Sequence, residues 1–201
     1  MNQEEYEQSL VKANDYFIHD QYDLFLDEFS RCYQFNTECF TDNLNVFKFS
    51  LATYSQNNNR TINEYNRFKL HFDEYIDSLK DKKEKEAFIV KVKTLIDKKF
   101  DAVSLYNQII NYDSFNNYCV ILMQLYEFTE KCVNENLFYD SDKINDFLTD
   151  IDNKIKQLMK IISWTGSRYK VRFIYLPKKP KEFLKDLEKS VAGLRQKSLV
   201  E

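Results

Sequence analysis

Glycine and proline are nearly absent from this chain of 201 residues, which contains only two of each. In average proteins these two residues together make up roughly 12% of the sequence. Glycine-rich phosphate loops, dinucleotide-binding turns and tight β-hairpins need glycine or proline where the backbone angles are unusual. The sequence therefore argues against nucleotide-binding loops of this kind and against β-rich folds.

Histidine and long apolar segments are also scarce. The chain has two histidines, and its clearest apolar run, at 119–123, is far shorter than the roughly 20 residues of a membrane span. Residues 1–5 are polar and acidic and lack the features of a secretory signal. We therefore predict a cytoplasmic protein without a membrane span.

Aromatic residues are abundant, with 17 Phe and 14 Tyr, and 43% of the residues are hydrophobic. This apolar content is sufficient for a packed core and excludes a disordered chain. Frequent Lys, Asn and Ile are typical of an AT-rich genome and indicate a low-GC microbe or phage. The cysteines form no CxxC pair, so we expect them to be buried apolar residues; they are Cys32, Cys39, Cys119 and Cys132.

Apolar residues recur at helical spacing along nearly the whole chain. We predict an all-α fold, either a multi-helix bundle or an irregular array of helical hairpins, with about seven to eight helices. The predicted helices are 4–18, 22–35, 42–55, 61–79, 86–100, one or two within 102–134, 141–162, and a last one that begins at Pro180.

Several residues are candidates for helix ends. We expect Thr61 and Ser114 to be N-caps, either Asp140 or Ser141 to cap the next helix, and Gly193 to end the last one.

The charged run 80–86 is predicted to be a solvated junction. The apolar stretch 120–125 predicts a central helix. In the helix after it, apolar residues alternate spacings of four and three, which is typical of a bundle helix; they are Ile144, Leu148, Ile151, Ile155, Leu158 and Ile162.

Inward faces can be assigned to the earlier helices from the same spacing. Tyr33 is expected to face inward with the other apolar residues of 22–35, and Ile62 with those of 61–79.

Residues 13–37 resemble a single helical hairpin of the tetratricopeptide family. The resemblance lies in Ala13, Asn14, Tyr16, Tyr22 and Phe29, while Ser9, Lys12, Asp20, Phe25 and Thr37 depart from the family pattern. A shift by the family's period of about 34 residues gives no second copy. The resemblance implies a helical hairpin that takes part in protein–protein contacts.

Charge is unevenly distributed along the chain. Residues 153–201 contain 13 Lys and Arg and four Asp and Glu, whereas the preceding part carries a net charge of −12. We predict an acidic helical domain at 1–163 and a basic C-terminal segment at 164–201 that packs on the same domain. Alternation of apolar and polar residues predicts a short extended stretch at 168–175.

The leading functional prediction is a non-catalytic adaptor that binds another protein or associates with itself. The alternative is an effector that binds RNA or DNA through the basic segment, since lysine and arginine neutralise phosphates and aromatic rings stack on bases. The residues predicted to bind are Arg168, Lys170, Arg172, Lys178, Lys179, Lys181, Lys185, Lys189, Tyr169, Phe173 and Trp164.

A third hypothesis is a small helical toxin or ribonuclease of the abortive-infection type that uses His19 or His71. Arg67 and His71 lie one position too close for the Arg–His motif of HEPN ribonucleases. A solvent-facing helix surface is expected to explain the acidic residues Glu64, Asp73, Glu74 and Asp77. The sequence predicts no cofactor and no metal site.

Overall fold

The computed structural model describes residues 1–56, 61–100, 112–138, 140–165 and 180–198, and within these ranges it contains helices and no strand. The prediction of an all-α fold is confirmed. The described ranges contain nine α-helices, slightly more than predicted, and one 3₁₀ turn. The predicted extended stretch at 168–175 lies outside the described residues.

The helices follow the predicted segments closely in the part of the chain that the structure describes. We number them α1 (Gln3–Ile18), α2 (Tyr22–Phe35), α3 (Asn43–Gln56), α4 (Thr61–Leu70), α5 (Phe72–Ser78), α6 (Lys82–Phe100), α7 (Tyr112–Asn134), α8 (Ser141–Thr165) and α9 (Pro180–Ser198), with the 3₁₀ turn at Thr37–Phe40.

The chain forms two compact units, Met1–Lys80 and Asp81–Glu201. The predicted division at 163 was based on charge and stays a prediction. Helix α8 continues to Thr165, two residues past that division, and α9 packs against α8 and α7. The described part of the basic segment thus packs within the second unit.

The first unit is a series of helical hairpins around an aromatic core. Helices α1 and α2 are antiparallel, because the ring of Tyr6 near the start of α1 contacts Phe35 at the end of α2. Helix α3 packs on α2, α4 and α5. At the centre, Phe17 contacts Phe25 with ring centroids 5.4 Å apart, and Tyr75 stacks on Phe47 at 4.5 Å.

The second unit is built around α7, as the apolar stretch 120–125 predicted. This helix packs against α6, α8 and α9. On α8, Leu148, Ile151, Ile155 and Leu158 are buried, so the apolar spacing of this helix serves packing within the chain. Asp140 is the N-cap, since its Oδ1 accepts a hydrogen bond from the Asp142 backbone N–H at 2.9 Å.

The structure differs from the predicted helical pattern at two places. The predicted helix 61–79 breaks at His71, and the break allows Tyr75 of α5 to contact both Phe47 and Phe17. The charged run 80–86 contains the boundary between the two units and is exposed at 81–84, as predicted for a solvated junction, but it is helical from Lys82. The carboxylate of Asp81 accepts a hydrogen bond from the Glu84 N–H at 2.8 Å and caps α6.

Other residues that were assigned to helix ends or to the core have a different place in the structure. Thr61 and Ser114 are not N-caps, since α4 begins at Thr61 and α7 begins at Tyr112. Tyr33 and Ile62 were expected to face inward, but they are 44% and 38% exposed. Gly193 does not end α9, which continues to Ser198 because Leu194 is buried after it.

Replacement of Gly193 by alanine should stabilise the second unit. The position is helical and exposed, and a Cβ there would meet nothing within 4 Å. Alanine has a higher helix propensity than glycine by about 1 kcal/mol, so we expect thermal unfolding of Gly193→Ala at a temperature several degrees higher. The matched substitution Ala192→Gly should shift the transition in the opposite direction. An unchanged or lower midpoint for Gly193→Ala would show that α9 is not helical at this position.

Candidate interaction surface

Three of the predicted binding residues lie on one exposed side of α9. Lys181, Lys185 and Lys189 are spaced four residues apart and are exposed. The side chain of Trp164 and the other predicted binding residues lie outside the described residues; these others are Arg168, Tyr169, Lys170, Arg172, Phe173, Lys178 and Lys179.

The basic side chains in the last turns of α9 are hydrogen-bonded within the second unit, one to a carboxylate and one to a neutral amide. The Arg195 guanidinium donates to Asp152 Oδ2 at 2.9 Å, and Lys197 Nζ donates to Asn134 Oδ1 at 2.7 Å. Glu182 and Glu188 lie among the exposed lysines of the same helix. Of the basic residues in the described part of this segment, Arg195 is thus paired with a carboxylate, and the lysines at 181, 185 and 189 remain exposed.

The two histidines differ in exposure, and each lies within 4 Å of a carboxylate on its own helix or turn. His19 is exposed at the end of α1, and its Nδ1 lies 3.3 Å from Asp15 Oδ1. His71 is mostly buried, with Nδ1 3.9 Å from Glu74 Oε1. Neither histidine has a described cysteine or hydroxyl as a hydrogen-bond partner.

All four cysteines are buried and free of disulfides, as predicted. Burial is the largest cause that raises the pKa of the Cys32 thiol, to about 11, and the nearby Cys39 adds to it. The thiol is the unreactive form of cysteine. These residues therefore contribute packing at neutral pH, as their apolar surroundings suggest.

A charge cluster in the second unit joins α6 and α8. Lys93 pairs with Asp97 and with Asp150, the latter at 2.6 Å, and Lys154 lies 2.6 Å from Asp150 and 3.2 Å from Asp97. Burial opposes the charge of Lys93, but its hydrogen bonds to Asp150 and Asp97 outweigh that effect and raise its pKa. The cluster borders a cavity of about 300 Å³ that Phe100 also lines. Two cations balance two anions, so the cluster holds the helices together without a net charge.

Exposed large apolar residues are confined to the first unit among the residues that the structure describes. The three most exposed are Leu70 at 74%, Val11 at 70% and Ile18 at 66%. The sequence of this unit has 14 acidic and seven basic residues. The remaining members of this exposed set are Met1, Leu24, Tyr33, Phe35 and Ile62.

Two of these residues form a regular face on α1. Val11 and Ile18 are seven residues apart and therefore lie on the same side of the helix, two turns apart. Glu4, Glu7 and Asp15 share that side at spacings of three and four, and all are exposed. We call these five residues the α1 outer face.

The α1 outer face is exposed to solvent because the opposite side of the helix packs against the core. Tyr6, Ala13 and Phe17 are buried against α2 and its neighbours. Lys12 is turned toward α2, where its Nζ lies 3.4 Å from Glu28 Oε2. The α1 outer face thus consists of aliphatic and acidic side chains, while the basic residue of this helix is engaged elsewhere.

Lys48 on α3 is a half-buried cation with a neutral partner. Its Nζ donates to Asn14 Oδ1 on α1 at 2.7 Å. Burial lowers the pKa of Lys48, and the charge of Asp42 offsets this only in part. Lys12 differs, since its hydrogen bond to Glu28 raises its pKa.

None of the described helices is long and apolar enough to cross a membrane, and no described group of three or more His, Cys, Asp or Glu could hold a metal ion. No family model, curated protein or solved structure matches this chain. The resemblance of residues 13–37 to a tetratricopeptide hairpin stays a prediction.

Sequence reasoning missed the α1 outer face. Tyr6, Leu10 and Phe17 recur at helical spacing in 4–18, and Tyr6 and Phe17 are buried, whereas Val11 and Ile18 are not part of that spacing. Their separation of seven residues, with acidic residues one turn away, is a second pattern on the same helix. This second pattern is the feature of the sequence from which the α1 outer face could have been predicted.

Lys48 and Lys12 should affect stability in opposite directions. A lysine whose pKa is lowered in the folded state favours the unfolded chain at neutral pH, and stability rises as the pH increases from the folded pKa toward 10.5. We expect Lys48→Met to raise the midpoint of thermal unfolding at pH 7 by roughly 3 °C.

Lys12→Met is the control for Lys48→Met, because it makes the same change at a lysine whose pKa is raised in the folded state. Such a lysine stabilises the fold until the pH exceeds its folded pKa. This substitution should lower the midpoint slightly. Calorimetry at pH 7 measures both variants. A lower midpoint for Lys48→Met would mean that its hydrogen bond to Asn14 outweighs the effect of burial.

Proposed function

We propose that this chain is a non-catalytic adaptor that binds another protein through its first unit. The observation that supports this proposal is the confinement of the exposed large apolar residues, among those described, to the acidic first unit. Scattered exposed apolar residues are ordinary on protein surfaces. A concentration of them in one unit, with two in register on one helix, is typical of a protein-binding surface.

The energetics of the first unit support the same proposal. Its core contains fully buried aromatic residues such as Phe17, Phe29 and Phe47. Each aromatic side chain buries a large apolar area, so the fold does not need Val11 or Ile18 inside. Leaving such side chains in water has no structural benefit, whereas burying them against a partner is favourable.

Affinity capture tests this function directly. The tagged protein is crosslinked in a lysate of the source cells, and bound proteins are quantified by mass spectrometry. We expect the wild type to recover a partner in near-stoichiometric amount and the variant Val11→Ser, Ile18→Ser, Leu70→Ser to lose it, because that variant removes the three most exposed apolar side chains.

The control changes the second unit at exposed positions. Lys185→Glu with Lys189→Glu should retain the partner. Recovery of the same proteins by the wild type and by the triple serine variant would contradict the proposal, as would the absence of any stoichiometric partner.

A second candidate function is nucleic-acid binding, favoured by the three lysines that share the exposed side of α9. Contacts with phosphates weaken steeply as salt increases. If this function is correct, labelled RNA or DNA binds at about 50 mM salt, and the charge reversal of Lys181, Lys185 and Lys189 to Glu weakens binding about tenfold or more. Binding that is absent at this salt concentration, or unaffected by the reversal, removes α9 as the site.

A further inference from the structure

We propose that the α1 outer face binds a basic amphipathic helix of another protein, one with aliphatic residues seven positions apart and lysine or arginine beside them. This inference rests on the proposed function and specifies the chemistry of the partner. Its site is the face formed by Glu4, Glu7, Val11, Asp15 and Ile18.

The spacing of the aliphatic residues indicates a helical partner. Val11 and Ile18 are separated by two helical turns, about 10.5 Å along the axis. Aliphatic residues seven positions apart on a second helix have the same separation, so a helix that lies along α1 can contact both at once. An extended segment covers that distance in about three residues and matches this pattern less well.

The charges on the face select a basic partner. Its polar side chains are Glu4, Glu7 and Asp15, which are all exposed and acidic. Lys12 on the same helix is paired with Glu28 and faces α2. A basic helix can therefore approach Glu4 and Glu7 without meeting Lys12, while Asp15 also has His19 Nδ1 at 3.3 Å. The acidic excess of the whole unit increases the rate of encounter.

The described residues of a second copy of the chain fit the face less well. The lysines on the exposed side of α9 are basic, but the apolar residues of that helix, including Leu184 and Leu187, are buried in its own unit. The described residues of the second unit expose no large apolar side chain. The described surface of the chain thus has no basic side with aliphatic residues to cover Val11 and Ile18.

Fluorescence anisotropy with a synthetic probe tests this inference on the full chain. The probe is a labelled helical peptide of 18 residues with leucine at positions 4, 8, 11 and 15 and lysine beside them. One control peptide has the same composition in an order that forms no apolar face, and another has glutamate in place of lysine. At about 50 mM salt, we expect the first peptide to bind and both controls to fail.

Variants assign the binding to the α1 outer face. Val11→Ser with Ile18→Ser should weaken binding about tenfold or more, because it removes the aliphatic contacts. Glu7→Lys with Asp15→Lys should weaken it similarly through charge reversal. Asp23→Lys with Asp27→Lys is the matched control, since it makes the same change in charge on exposed positions of α2, and it should change affinity less than about threefold.

The remaining outcomes overturn the inference. Equal losses from the α1 and α2 charge reversals would show a general charge effect without a site on α1. The basic peptide could fail to bind while the triple serine variant still loses the partner captured from the lysate. That result would refute this partner chemistry and leave the proposed function intact. A second copy would be identified as the occupant if the wild type sediments as a dimer and two double variants sediment as monomers. These variants are Glu7→Lys with Asp15→Lys, and Lys185→Glu with Lys189→Glu. Circular dichroism confirms that each variant is folded.

Discussion

The first unit depends on the packing of aromatic rings between its helices. Phe17 on α1 contacts Phe25 on α2 and Tyr75 on α5, while Tyr75 stacks on Phe47 of α3. Four helices are thereby fixed by one group of side chains. Such rings combine a large buried area with preferred edge and stacked geometries, so they determine which side of each helix faces inward.

This packing determines what remains outside. Once Tyr6, Ala13 and Phe17 set the orientation of α1, the positions on the opposite side of the helix are necessarily exposed. Evolution could fill those positions with any polar residue without harm to the core. The presence of Val11 and Ile18 there is not explained by the stability of the fold, and this is why the proposed function is built on this face.

Periodicity predicted the helices well because helical burial repeats along the chain, whereas boundaries depend on contacts that no local pattern contains. The break at His71 follows from the position of Tyr75 against α1 and α3. Gly193 stays helical because Leu194 is buried after it. The basic charge of the C-terminal part was evident from the sequence, but the pairing of Arg195 with Asp152 required the fold. Exposure of Val11 and Ile18 likewise required knowledge of which side α2 covers.

The two units use charge differently, and the difference bears on partner selection. In the second unit, Lys93 and Lys154 are matched by Asp97 and Asp150 on neighbouring helices, so the attraction is used within the fold. Beside the α1 outer face, Lys12 is directed to Glu28, and the imidazole of His19 at the end of the helix lies beside Asp15. Exposed charges of one sign add little to stability, but they reject acidic partners and attract basic ones. In the proposed complex, the aliphatic residues supply the contact area, and the carboxylates favour a basic helix over an acidic one.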